Sequence, residues 1–400
     1  MDRMKFIHAA DLHLGNPFVG LANVPAWLQN NLQTASETAL ARLVDDAIAE
    51  SVDFVLLAGD LFDTTTPDTR AQLTLVTALQ RLDEANIPVV MGFGNHDFVQ
   101  DWQALPVWPA NVTVLPADIT TTQLTTTGGE KVAITGFSYT TRHITEDMAI
   151  KFPNKLPGVA FHIGMYHGSV GQDGAGDYAP FSLGDLQAHH YDYWALGHIH
   201  VRQTLQAEPF VGYSGSLQGL NRNESGTKGY YLVENQGSHL VPEFTPVAPI
   251  VWATHDITLM GDLNTAVTQI RRELGTPEEF ELVSLTVKTD EPQLLSMIEN
   301  GQLVAALTRA SQSNDAFYVF DVRLDSTPLK ATLPAVDQHY WDETADAVFD
   351  FETLQRLGLK QVTDASILTS FLSADMMAEL KEAVETKLRV AEQGGQTDVD

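Results

Sequence analysis

Five runs rich in Val, Ile, Leu, Phe or Ala each stop at a residue able to bind a divalent cation. In chain order the stops are Asp11 and His13 (AADLHLG), Asp60 (LLAGDLFD), Asn95 (GFGNHD), His167 (GMYHGSVG), and His198 with His200 (ALGHIH). Unbroken apolar composition marks a strand covered on both faces. Ligands of open α/β sheets collect outside the carboxyl ends of the strands. The separate segments are therefore expected to meet at the rim of one sheet. A lone Asp-x-His or His-x-His has little weight, because a strand's period of two points any such pair to one face. The ordered set of strand ends is what constrains the fold.

Between the runs the pattern turns helical. Leu40, Leu43, Val44, Ala47 and Ile48 line one face of 36–51, with Thr34 and Glu37 as a capping box at its start. Ala71, Leu75, Leu79 and Leu82 do the same over 68–85, where Pro67 and Asp68 mark the start. Strand, helix, strand predicts a sheet with helices on its faces. Gly128–Gly129 separates two short alternating runs between Asn111 and Tyr139, a hairpin pattern, and Phe210 to Val241 reads as further antiparallel strands. PVAPIVW, 246–252, is a proline-marked boundary. The resulting division is 1–245 as a catalytic domain, 250–330 as a small α+β capping module, and 331–400 as a helical C-terminal region. Within the module, strands are predicted at 255–259, 281–289 and 316–324, and helices at 263–274 and 292–311. The last region predicts a helix over 373–390 and a disordered polar end.

Imidazole, carboxylate and amide donors without sulfur suit Mn²⁺, Fe²⁺ or Zn²⁺. Two neighbouring cations need a shared anionic ligand, and Asp60, on the middle run, is the natural bridge. The series D-x-H, GD, GNH, H and GH-x-H resembles that of the calcineurin-like metallophosphoesterases, a helix-flanked β-sandwich family. IHAADLHLG, LLAGDLFD, GNHD, YWALGHIH and the glycine-rich stretch GYSGSLQGLNRNESGTKGYYLVE are similar to the SbcD-type DNA repair exonucleases. PFVGL resembles their YhaO-like branch. The resemblance implies one metal on Asp11, His13, Asp60 and His200, and a second on Asp60, Asn95, His167 and His198. It implies that His96 faces the scissile phosphate and that Mn²⁺ is the preferred ion. It further implies 3′–5′ exonuclease and endonuclease activity on DNA, an SbcC/YhaN-like coiled-coil ATPase partner, and a homodimer.

Asp63 and Asp97 could orient the imidazoles or serve as turn residues. His8 and His162, inside strand patterns, read as core. The other histidines lack a motif. Arg142, Arg202, Arg222 and Lys228 read as solvated charges that could touch phosphate. Leu368, Phe371, Leu372, Met376, Met377 and Leu380 form an apolar stripe suited to core packing or to docking the ATPase. The chain has no cysteine, which removes disulfides and thiolate sites and suits a reducing cytoplasm. No apolar run reaches the roughly 20 residues that cross a bilayer. A formal net charge of −29 opposes long-range attraction to nucleic acid. It leaves small phosphoesters as the competing substrate class, with a degenerate scaffold the least favoured reading.

Overall fold

The computed structural model describes residues 4–325, except 17, 19–20, 22–23, 104 and 172–175. The C-terminal helix, the apolar stripe and the polar end expected beyond 330 lie outside the described residues. Residues up to Arg323 belong to one compact unit. Among the described residues no helix is long and apolar enough to cross a membrane.

Two six-stranded sheets pack face to face. The first contains β1 (Lys5–Ala9), β2 (Phe54–Ala58), β3 (Val89–Gly92) and β4 (Val112–Val114), all parallel. The second has a parallel centre of β6 (Lys131–Gly136), β7 (Phe161–His167), β8 (Tyr193–Gly197) and β10 (Phe210–Tyr213). Its antiparallel edges are β5 (Thr120–Thr125), which forms the expected hairpin with β6, and β9 (Gln203–Ala207). The antiparallel hairpin β11 (Gly229–Gln236) and β12 (His239–Pro246) completes the first sheet beside β1. The stretch from Phe210 to Val241 is thus divided between sheets, with β10 parallel to β8, because its glycine-rich middle crosses from one layer to the other.

Side-chain alternation explains the layers. Phe6, Phe54, Leu56 and Val90 face inward and meet Ile134, Ile163, Met165, Tyr193 and Ala195 of the second sheet. Their neighbours Ile7, Ala9, Val55, Leu57, Val89 and Met91 face outward under two helices. These are α1 (Ala26–Ala49) and α2 (Thr69–Glu84). The outer face of the second sheet is closed by loops and by the short α3 (Leu183–Gln187), over Phe137, Tyr166, Trp194 and Leu196.

α1 starts ten residues before the expected point, and Pro25 precedes it in place of a side-chain cap. Thr34 is no cap: its hydroxyl donates to the Asn30 carbonyl at 3.1 Å, inside the helix. The reason is a second apolar stripe, Leu28, Leu32 and Ala35, which packs on the small module rather than on the sandwich. That module is a three-stranded sheet in the order β13 (Ile250–Thr258), β14 (Phe280–Lys288), β15 (Phe317–Leu324). α4 (Leu263–Leu274) connects the parallel pair β13 and β14. β13 begins five residues before the expected strand, since Ile250 and Trp252 bury themselves in the same cluster as Leu28. The helical stretch 292–311 is two helices, α5 (Pro292–Glu299) and α6 (Gln302–Ala310), separated where Gly301 adopts φ 74°.

Candidate metal centre

The donor residues converge, though from two sheets rather than one. Asp11, His13, Asp60 and Asn95 follow strands β1, β2 and β3 of the first sheet. His167 ends β7, and His198 and His200 follow β8 of the second. Both sheets present their carboxyl ends on the same side, so the site lies across the seam of the sandwich. Tight turns aim the side chains. Asp11, His13, Asp60 and His198 take φ of 53°, 44°, 50° and 102°, left-handed backbone that costs about 1–3 kcal/mol per non-glycine residue. Such strain persists only where the surroundings impose it.

Two donor groups form. Asp11, His13 and His200 make one, Asp60, His167 and His198 the other, and a third set of His13, Asp60 and His96 overlaps both. Asn95 Oδ1 joins the second, 3.0 Å from His167 Nε2 and 2.9 Å from His198 Nδ1. Asp60 connects them: its Oδ2 is 3.7 Å from His13 Nε2 and 3.3 Å from His167 Nε2. Asp11 accepts the backbone N–H of His198 on both oxygens, at 3.0 and 3.1 Å, which ties the two sheets together. Three glycines make room. A Cβ on Gly94 would sit 2.3 Å from Asp60 Oδ1, one on Gly59 2.4 Å from the His167 ring, and one on Gly197 2.1 Å from the Ala58 carbonyl.

Neighbouring carboxylates set the tautomers. His200 Nδ1 donates to the Glu224 carboxylate at 3.0 Å, and His13 Nδ1 faces that of Asp63 at 3.4 Å, a charge contact rather than a hydrogen bond. Each Nδ1 therefore carries the proton and each Nε2 presents a lone pair. Those two Nε2 atoms stand only 2.9 Å apart. Two lone pairs repel at that spacing, and a cation between them removes the conflict; adjacent donors around an ion with bonds of about 2.0–2.2 Å lie about 3 Å apart. His167 gives Nδ1–H to the Ala58 carbonyl at 2.9 Å and faces only oxygen atoms with Nε2. The donor set thus fits divalent metal.

The charges are strongly coupled. Burial opposes ionisation of Asp60, yet the His167 and His13 imidazoles hold it well below the usual carboxylate range. Burial also opposes charge on His167, but Asp60 and Asp11 push it up to about 9. Burial together with His167 takes His198 down to about 3.

His96 lies beside the centre, within ligand distance of His13 and Asp60, and is partly exposed. Its Nδ1–H donates to the Asp63 carbonyl at 3.1 Å, and its backbone N–H to Asp60 Oδ1 at 2.9 Å. Asp63 sits beside both His13 and His96. Among the described residues Asp97 hydrogen-bonds no imidazole. Its carboxylate accepts the N–H groups of Leu61, Phe62 and Gly94, at 2.7, 3.1 and 2.7 Å, and splices the Asp60 turn to the Asn95 turn. His8 and His162 are core residues: His8 bonds Tyr193 Oη and the Leu196 carbonyl, and His162 bonds Thr135 and Leu156. Arg142 and Arg222 are exposed, and Arg202 stacks on Phe244. Lys228 departs from the expected solvated charge: it is buried, and its Nζ donates to the His200 carbonyl at 2.7 Å. Glu224 and Tyr178, whose ring lies 4.7 Å from that of His198, escaped the sequence reading. Neither stands at a strand end.

A sandwich whose strand ends gather carboxylate, imidazole and amide donors into two adjoining groups defines a metal-dependent phosphoesterase. The calcineurin-like phosphoesterase family profile matches residues 4–202. The chain is 34% identical over 352 residues to a Bacillus subtilis protein named as the uncharacterized metallophosphoesterase YhaO, covering 84% of this chain and 85% of that one. It belongs to the calcineurin-like metallophosphoesterases. It is also 28% identical over 257 residues to the DNA double-strand break repair protein Mre11 of Methanocaldococcus jannaschii, covering 59% of this chain and 64% of that one. A dimetal phosphatase from Danio rerio matches 60% of this chain and 99% of its own at 12% identity and a TM-score of 0.35.

Proposed function

We propose that the chain is a DNA nuclease, a 3′–5′ exonuclease with endonuclease activity, using two divalent ions, Mn²⁺ by preference. The junction of two donor groups at Asp60, with His96 alongside, carries this reading. Asp11, His13, Asp60 and His200 would hold one ion, and Asp60, Asn95, His167 and His198 the other. When bound, the ions would supply Lewis acidity toward phosphoryl oxygens and a water acidic enough to yield hydroxide at neutral pH. The chain's own groups do the rest. Asp97 ties the Asp60 turn to the Asn95 turn. The Asp63 carbonyl holds His96 through Nδ1. In the doubly protonated ring, that leaves Nε2–H to donate to a non-bridging phosphate oxygen or to give its proton to the departing 3′-oxygen.

DNA as the substrate draws on the similarity to a protein named for double-strand break repair and on the module packed beside the sandwich. The same reading includes homodimers, a cytoplasmic setting and an SbcC/YhaN-like coiled-coil ATPase bound through the C-terminal region. The net charge of −29 favours a second reading, a phosphoesterase for small nucleotides, since it repels a polyanion. Purified protein with Mn²⁺ separates them when given end-labelled duplex DNA and, in parallel, cyclic and monoester nucleotides. Mononucleotides released from DNA support the nuclease, and turnover confined to the small substrates refutes it.

A further inference from the structure

The strand that opens the small module is bonded directly to the loop from which Glu224 reaches His200. Val247 and Ala248 donate their N–H groups to the Lys228 carbonyl, at 3.0 and 3.2 Å. Gln218 Nε2 donates to the Ile250 carbonyl at 2.7 Å, and Trp252 Nε1 to that of Gly219 at 3.0 Å. The N–H of Gly226 donates to the Trp252 carbonyl at 3.0 Å. Ile250 and Trp252 are anchored in turn by burial against Leu28, Leu32, Leu282 and Tyr318.

Within the clamped loop, two charged side chains hold His200. Glu224 takes the ring Nδ1–H on one oxygen at 3.0 Å and the N–H of Leu220 on the other at 3.0 Å. Lys228 holds the carbonyl of the same histidine. Their relative exposures are only 8% and 5%. Burying two charges is costly unless each is fully engaged. Here both engage the same metal-facing residue, and Glu224 also accepts the Leu220 N–H and the Asn221 side-chain amide within its own loop. A carboxylate on the far nitrogen of an imidazole fixes its tautomer and ring orientation and makes the facing nitrogen a stronger donor.

We propose that Glu224 is the positioning residue for His200, and that the small module is part of the scaffold of the metal centre, acting through β13 on the Glu224 loop. This rests on the two-ion reading of the site. The module's place beside the sandwich then has a consequence for chemistry: displacing β13 releases the loop and loosens the group made by Asp11, His13 and His200, while the group at Asn95, His167 and His198 stays intact.

The test is calorimetric titration of Mn²⁺ into the metal-free full-length chain, with electron paramagnetic resonance at each equivalent. The parent takes up two ions and shows the spectrum of a spin-coupled pair. Glu224→Ala weakens one of the two ions roughly 10–100-fold, leaves the other unchanged, and converts the spectrum at sub-saturating metal to that of isolated Mn²⁺. Glu224→Gln keeps an acceptor for the imidazole and falls between. Trp252→Phe keeps the buried ring, removes one clamp bond, and weakens the same ion by a smaller factor. These last two variants decide the matter where Glu224→Ala does not fold. Two ions of unchanged affinity in all variants would overturn the inference and leave the two-ion reading standing. A parent that binds fewer than two ions would sink that reading itself.

Discussion

At the scale of single residues, the centre depends on side chains beside the donor groups as much as on the donors themselves. His96 is the sharpest case, being close enough to His13 and Asp60 to count geometrically as a ligand. Replacing it with Ala is expected to lower turnover about 10²–10⁴-fold while bound metal, measured by plasma mass spectrometry, stays nearly unchanged. Loss of an ion would make His96 a ligand instead. His8 shows how a histidine can be costly without being catalytic. Complete burial takes its pKa from 6.5 down to about 4. A depressed histidine value means that the folded state binds the proton more weakly than the unfolded one. Stability is then full above pH 6.5 and lost as pH falls toward 4, by about 3 kcal/mol. Urea unfolding of the metal-free protein across that window should show a shallower acid decline in His8→Gln, which keeps polar atoms for Tyr193 and Leu196. An equally steep decline in the variant would place the acid sensitivity elsewhere. The residues that gather at the candidate centre were legible in the sequence, because each stands at the end of an apolar run. Glu224 and Lys228 were not. They lie in a loop without periodicity, and their link to His200 exists only once the chain has folded.

Secondary-structure elements were legible where one face decides. α2 has a single stripe toward the first sheet, and its limits fall within one residue of the expectation. Asp68 accepts the Ala71 N–H at 2.7 Å as a side-chain cap. Asp68→Ala should therefore cost about 1 kcal/mol, measured as a lower urea midpoint with an unchanged slope; a change under a few tenths would mean that solvent replaces the cap. α1 was harder because it serves two partners. Its second half lies on the sandwich sheet through Leu40, Leu43 and Val44, and its first half on the module through Leu28 and Leu32. Reading one stripe finds one half. β13 was truncated in the same way: its first residues face a neighbour that no local pattern reveals.

For the whole molecule, the net charge of −29 makes a testable demand on the proposed substrate. Repulsion between an acidic protein and DNA is screened by salt, over a Debye length of about 8 Å at physiological ionic strength. Initial rates on duplex DNA below saturation should rise as NaCl goes from roughly 20 to 150 mM. A steep fall would mean that a basic surface dominates the approach. By itself the sequence determined the α/β class, the strand ends and the chemical kind of each donor, since residue type and apolar periodicity are local properties. Only the tertiary structure decided that donors from two sheets meet across the seam of a sandwich, that Asp60 stands between two groups, and that β13 clamps the loop behind His200. Those outcomes depend on contacts between segments far apart in the chain, formed when the inward faces of both sheets bury each other, and no local pattern encodes which distant surface a segment will meet.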